Sequence, residues 1–187
     1  MSLTVNTAGL NAARSLAVAK FGGTSVADYQ AMLRCGNIIK NDPANKVVVV
    51  SASAGVTNYL VRLSQKDVGV QEREEIINAI SQIQYNIRRH LPEEAALDES
   101  LQALIAELEL LAGQQAQEYK VQMADAILSF GEQFSSLLFT RVLRSLDVAA
   151  ACFDVRRVMK TNSLYGKAVV DTGQLKDNCR EFLLPEL

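Results

Sequence analysis

Tryptophan is absent from the 187 residues, proline occurs three times and histidine once. The three cysteines, Cys35, Cys152 and Cys179, form no CxxC pair. An ordinary structural zinc site needs about four Cys or His ligands at short spacings, so this set excludes one. An odd, scattered group of thiols fits a reducing cytoplasm rather than a disulfide framework. No apolar run approaches the ~20 residues that span a bilayer, which argues against a membrane span. Positive charge is not in excess either: 19 Lys and Arg against 21 Asp and Glu give a net charge of −2. That balance lacks the electrostatic footprint of a nucleic-acid binder.

What is present fits a globular class. Hydrophobic residues make up 49% and charged residues 21%, enough to build one domain or a large piece of one. Residues 1–14 are small and polar without a clear period, and they read as a flexible extension. They are too poor in Arg and apolar residues for a targeting signal. Residues 15–187 then form one unit.

Leu16 to Phe21 reads as a strand, broken by Gly22-Gly23-Thr24-Ser25. Ser25 and Asp28 stand at capping-box spacing, which predicts a helix from near Val26 to Asn41, ended by Asp42-Pro43. Lys46 leads into Val47-Val48-Val49-Val50, a β-branched run expected of a parallel strand buried on both faces. The small-residue loop Ser51 to Gly55 follows, then a helix from Val56 to Gln65. The alternation is that of an α/β sandwich, in which ligands bind beyond the carboxyl ends of the strands. Both small-residue loops fall at that edge.

The middle of the chain is helical. Ile76, Ile77, Ile80, Ile83 and Ile87 keep one helical stripe. Leu101, Leu104, Ile105, Leu108, Leu111 and Ala112 keep another, with Gly113 as a stop. The two helices form a hairpin. A third helical region spans Tyr119 to Leu146 and contains Gly131, which costs ~1 kcal/mol relative to Ala inside a helix. Either the helix breaks there or something approaches closely; Ser129 and Glu132 at capping-box spacing favour a break. Val148 to Phe153 reads as a short buried strand, Ala168 to Val170 as another, and Gln174 to Leu184 as a last helix. The one histidine, His90, lies at a helix end, where a cation complements the helix dipole.

Three segments carry candidate chemistry. Lys20 ends a strand beside Gly22 and Gly23, ahead of a helix N-terminus. Glycines admit close backbone approach and helix N-termini favour anions, so a phosphate or carboxylate site is one reading and a tight turn with Lys20 reaching outward is the other. The loop Ser51-Ala52-Ser53-Ala54-Gly55-Val56-Thr57-Asn58 offers hydroxyls and backbone amides to a carboxylate, or ordinary N-caps. In Ser129-Phe130-Gly131-Glu132, the carboxylate serves a cationic group, the capping box, or both.

These segments resemble aspartate kinase in order and spacing. The resemblance rests on Lys20-Phe21-Gly22-Gly23-Thr24-Ser25-Val26-Ala27-Asp28, on Ser51 to Asn58, on Ser129 to Glu132 and on Phe153-Asp154-Val155-Arg156. The continuation Arg157 to Asn162 is most similar to the lysine-sensitive bacterial form. The resemblance implies an amino-acid kinase (carbamate kinase-like) sandwich, a mostly parallel sheet with helices on both faces and a helical hairpin insertion. It implies ATP-dependent phosphorylation of the aspartate side-chain carboxylate, the first step toward lysine, methionine and threonine. By the same resemblance Lys20 is catalytic and stabilises the transferring phosphoryl group. Ser53 and Thr57 bind aspartate, Glu132 receives its ammonium, and Gly22 and Gly23 line the phosphate path.

Two departures accompany it. Family members commonly carry His before the Gly-Glu pair, where this chain has Phe130. No match to the family's GRGGSD-type segment, its adenine and ribose contacts or its ACT domains appears before Leu187. The resemblance therefore implies the N-terminal, substrate-side part of the kinase domain. ATP and Mg²⁺ serve the complete enzyme, none binding tightly to this chain alone. L-aspartate and ATP are the expected partners, the complete enzyme being a cytoplasmic homo-oligomer with no nucleic acid, membrane or resident metal. The competing readings are another small-molecule kinase of the same fold, and a non-catalytic interaction domain that uses the hairpin.

Overall fold

The computed structural model describes residues 17–42 and 44–187. The expected extension, residues 1–14, lies outside the described residues, as do Leu16 and Pro43. Strand β1 (Ala17–Phe21) pairs in parallel with β2 (Asn45–Val50), as the strand–helix–strand pattern predicts. The register sets Ala19 beside Val48, Lys20 beside Val49 and Phe21 beside Val50, after an irregularity between Ala17 and Val18.

Side chains alternate across a strand, so each strand has two faces. Ala19, Phe21, Val48 and Val50 join the core formed with helices α1 (Tyr29–Asn41) and α5 (Val121–Ser145). Val18 and Val49 point the other way and are 60% and 44% exposed. The four-valine run is thus not buried on both faces. Among the described residues the sheet has two strands with helices on one face, because no described helix packs over Val18 and Val49.

A single 3₁₀ turn, Gly23–Val26, precedes α1. The cap of α1 is Asp28, whose carboxylate accepts from Ala31 N at 2.8 Å, and not Ser25. Ser25 is held in the turn by its own amide, which donates to the Gly22 carbonyl at 2.9 Å. Helix α2 (Val56–Leu63) follows β2. The hairpin consists of α3 (Val70–Arg88) and α4 (Ala95–Gln117). Arg88 pins its turn: the guanidinium donates twice to Asp98, at 2.7 and 2.8 Å, and to the carbonyls of Leu91 and Pro92. Helix α4 does not stop at Gly113. Gln115 is fully buried, donates to the Ser64 carbonyl and accepts from the Lys120 amide, so tertiary bonds carry the last turn past the glycine.

Helix α5 also runs unbroken through Gly131. Ser129 spends its hydroxyl within the helix, on the Ala126 carbonyl at 2.7 Å, and caps nothing. Phe130 and Phe134 bury one stripe of α5 against α2 and the hairpin, and Leu138 and Val142 continue it against the sheet and α1. Beyond α5 the chain turns at Asp147, with φ of 62°, and the expected strand Val148–Phe153 does not form. This segment runs beside β2 across a groove of about 640 Å³ that includes Val48, Val50, Phe139 and Leu143. Among the described residues no ladder partner reaches it, and its Ala150 carbonyl accepts from the Arg144 side chain instead. The expected strand Ala168–Val170 is reduced to one antiparallel bridge, Thr161 to Val170. The last helix begins as α6 (Thr172–Asn178) and continues in a wider π turn, Cys179–Leu183.

Candidate functional site

Parallel strands deliver their following loops to one edge of the sheet. Here β1 leads into Gly22–Ser25 and β2 into Ser51–Gly55, and the two loops are stitched together. Ser51 N donates to the Phe21 carbonyl at 3.1 Å, and Ala54 N to the Gly23 carbonyl at 3.2 Å. Glycine is required at 23: a Cβ there would lie 2.7 Å from the Ala52 carbonyl oxygen. Gly22, by contrast, faces open space, with nothing within 4 Å of a Cβ position.

Ser53 points inward and is 1% exposed. Its hydroxyl donates to the Val26 carbonyl at 2.8 Å and lies 3.4 Å from the Ser135 hydroxyl of α5. It ties both loops to the helix and forms the wall of the site rather than its surface. Gly55 takes a left-handed conformation, φ of 86°, which turns the chain into α2. Thr57 then stands exposed in the first turn of that helix.

Helix α5 reaches the same loops from the side. A Cβ at Gly131 would lie 2.5 Å from the Ala52 Cβ, so the glycine admits the loop against the helix. The next residue, Glu132, is exposed and accepts a hydrogen bond from Ala52 N at Oε1, 3.2 Å away. Of the open alternatives at Gly131, the structure supplies close approach and not a break. That removes the capping-box role of Glu132 and leaves its carboxylate facing the loop.

Gly23, Ser53 and Glu132 are therefore brought together. Lys20 shares the carboxyl edge but leaves β1 on the open face of the sheet, opposite the face that α5 covers. Its ammonium makes no ion pair among the described residues. Phe130 is 2% exposed and packs near Phe134, ring centroids 6.1 Å apart, so it belongs to the core. His90 places Nδ1 2.9 Å from the Asn86 carbonyl of the last turn of α3 and stacks on Tyr29. It joins no part of the loop cluster, in keeping with its helix-end reading. Asp154 accepts from Arg156, which holds its carboxyl below the usual range.

Two contributors were hidden in the sequence. Ala52 acts through its amide, which every residue but proline carries. Ser135 looked like any polar residue on a long helix. Among the described residues no group of three or more His, Cys, Asp or Glu side chains is placed to hold a metal ion, and no helix is long and apolar enough to cross a membrane.

Residues 15–186 match the amino acid kinase family. The chain is 41% identical over 174 residues to the lysine-sensitive aspartokinase 3 of Escherichia coli, covering 92% of this chain and 38% of that protein. It is 58% identical over 62 residues to an aspartokinase 3 of Haemophilus influenzae whose name marks it as inactive, covering 33% of this chain and 50% of that one. The crystal structure of Escherichia coli aspartokinase III in complex with aspartate and ADP superposes with a TM-score of 0.88 at 40% identity, over 91% of this chain and 38% of that one. The chain thus spans well under half the length of that relative.

Proposed function

The chain belongs to the amino acid kinase family, and we propose that it forms the aspartate-side wall of an aspartate kinase. Such an enzyme moves the terminal phosphoryl group of ATP onto the side-chain carboxylate of L-aspartate, giving 4-phospho-L-aspartate and ADP. Residues 15–187 are then the N-terminal part of the kinase domain, in a cytoplasmic, homo-oligomeric enzyme that opens the route to lysine, methionine and threonine.

The observation that carries this reading is the Ala52–Glu132 contact. It fixes an exposed carboxylate over a loop of backbone amides, as a ligand with both an ammonium and a carboxylate requires. Glu132 takes the ammonium through its unengaged oxygen. Thr57, exposed at the start of α2, offers a hydroxyl and a positive helix end to a carboxylate. Ser53 holds the loop from beneath.

Phosphoryl transfer is mostly positioning and charge stabilisation. Lys20 supplies a cation at the strand end, and Gly22 leaves its backbone open to a phosphate oxygen. Mg²⁺ in such reactions is held by substrate phosphates with one or two carboxylates, and among the described residues no group of three or more His, Cys, Asp or Glu side chains is placed to hold a metal ion. No step of this reading is routed through a metal held by this chain.

The test is an amide NMR titration of the chain with L-aspartate and, separately, with succinate, which lacks the ammonium. L-aspartate should perturb Gly55, Val56, Thr57 and Glu132, and Glu132→Gln should weaken its binding about tenfold or more. Equal perturbation by succinate, or perturbation confined to other residues, would overturn the assignment.

A further inference from the structure

We propose that Gly131 and Ala52 form a matched steric contact that positions the Glu132 carboxylate, making both residues positioning elements of the site. The proposal rests on the reading of Glu132 as the ammonium acceptor for its functional meaning, but not for its geometry.

Ala52 is caught between two glycines. On one side its carbonyl oxygen lies 2.7 Å from where a Cβ at Gly23 would stand. On the other its methyl lies 2.5 Å from where a Cβ at Gly131 would stand. Real Cβ contacts do not come that close, so either substitution must move backbone. The two glycines let the loop after β2 seat against the loop after β1 and against α5 at once.

That seating brings the Ala52 amide to Glu132. The hydrogen bond spans 80 residues of sequence and holds Oε1 at 3.2 Å. Any displacement of the loop from the helix lengthens it. A glutamate on an exposed helix surface has three rotatable torsions, and fixing one oxygen removes much of that freedom before a ligand arrives. The remaining oxygen is then presented in one direction.

Helix propensity predicts the opposite sign. Gly is ~1 kcal/mol worse than Ala in a helix interior, so Gly131→Ala in the middle of α5 would stabilise the chain if nothing touched it. The steric contact predicts local damage that a second substitution repairs. Ala52→Gly removes the methyl that the new Cβ would meet. What remains near that Cβ is the Leu60 Cδ1 at 3.2 Å, the end of a flexible side chain, and the Ala52 Cα at an ordinary 3.5 Å.

The experiment compares amide hydrogen exchange in the 187-residue chain and in Gly131→Ala, Ala52→Gly, the double variant and Glu132→Ala. Exchange at the residue-52 amide should rise about tenfold in Gly131→Ala and in Glu132→Ala, while α5 core amides keep their protection. It should return to the starting rate in the double variant. Should Gly131→Ala fail to fold, the double variant should fold and protect that amide. Unchanged exchange at residue 52 in Gly131→Ala would overturn the proposal. So would a uniform loss of protection, or a failure to fold, that Ala52→Gly does not repair. L-aspartate titration of the same variants separates the two claims: restored exchange with binding indifferent to every variant would retain the contact and reject the ammonium role.

Discussion

The Ser53 hydroxyl donates to the carbonyl of Val26 at 2.8 Å, joining the loop after β2 to the turn after β1. Thr57, four positions later, is exposed and makes no such bond. Two hydroxyls, one in the loop after β2 and one in the first turn of α2, therefore have different work, one internal and one at the surface.

Removing them should separate stability from binding. Ser53→Ala leaves the Val26 carbonyl unpaired in the interior and should cost about 1–3 kcal/mol in urea unfolding. Thr57→Ala should change stability by less than about 0.5 kcal/mol and weaken L-aspartate binding. If Thr57→Ala proves as destabilising as Ser53→Ala, the internal and surface roles are wrongly divided.

The Arg62 guanidinium grips Glu72 through two hydrogen bonds, 2.6 and 2.7 Å, and Asp67 through a third at 2.7 Å. This clamps α2, which carries Thr57, to the hairpin. Arg62 holds the carboxyls of Glu72 and Asp67 below their ordinary values. A depressed carboxyl pKa means that the folded state binds the proton less readily than the unfolded state. The contribution is complete above the unfolded carboxylate range and is lost as pH falls through the folded value. The melting temperatures of the parent chain and Glu72→Gln should differ most near neutrality and converge on acidification. The clamp is exposed, so the gap should be modest and should shrink with salt. A gap that widens toward acid would reverse the argument.

The parallel β1–β2 pair, the hairpin and the meeting of the two loops at one sheet edge were legible because each follows from local pattern: a β-branched run, two helical stripes, small residues after strands. The failures have tertiary causes. Four consecutive valines signal two buried faces, yet Val18 and Val49 lie on a face that no described element covers. Gly113 reads as a stop, and capping-box spacing tips Gly131 toward a break over a close approach, yet Gln115 and Ala52 supply bonds and contacts that outweigh ~1 kcal/mol of propensity. Val148–Phe153 has strand composition but no ladder partner among the described residues. At the site, Glu132 was visible as a charge beside a glycine, but the amide that orients it belongs to an alanine.

Lys20 should be separable from the fold. It is exposed, makes no ion pair among the described residues and shares a sheet face with the exposed Val49. Lys20→Ala should alter the unfolding free energy measured in urea by less than about 0.5 kcal/mol. It should also lower the affinity of the chain for ADP or inorganic phosphate, measured by NMR titration of the Gly22 and Gly23 amides. A large loss of stability would mean that the lysine is structural, and unchanged titration would remove it from the phosphate path.

Catalysis makes a harder demand than binding. The acceptor carboxylate and the transferring phosphoryl group must be held in line, in a site that excludes water and surrounds the developing charge with fixed donors. Lys20 lies on an exposed sheet face, where a charge interaction is worth far less than in an enclosed site. The residues that do converge, Gly23, Ser53 and Glu132, build one wall, on the side proposed for aspartate. The 187-residue chain should therefore yield no acyl phosphate above background when incubated with ATP, Mg²⁺ and L-aspartate and trapped with hydroxylamine. It should still show the loop perturbations expected of weak aspartate binding. Robust hydroxamate formation would mean that an exposed Lys20 and the open glycine loop suffice to hold a nucleotide, and that the nucleotide site lies within these residues.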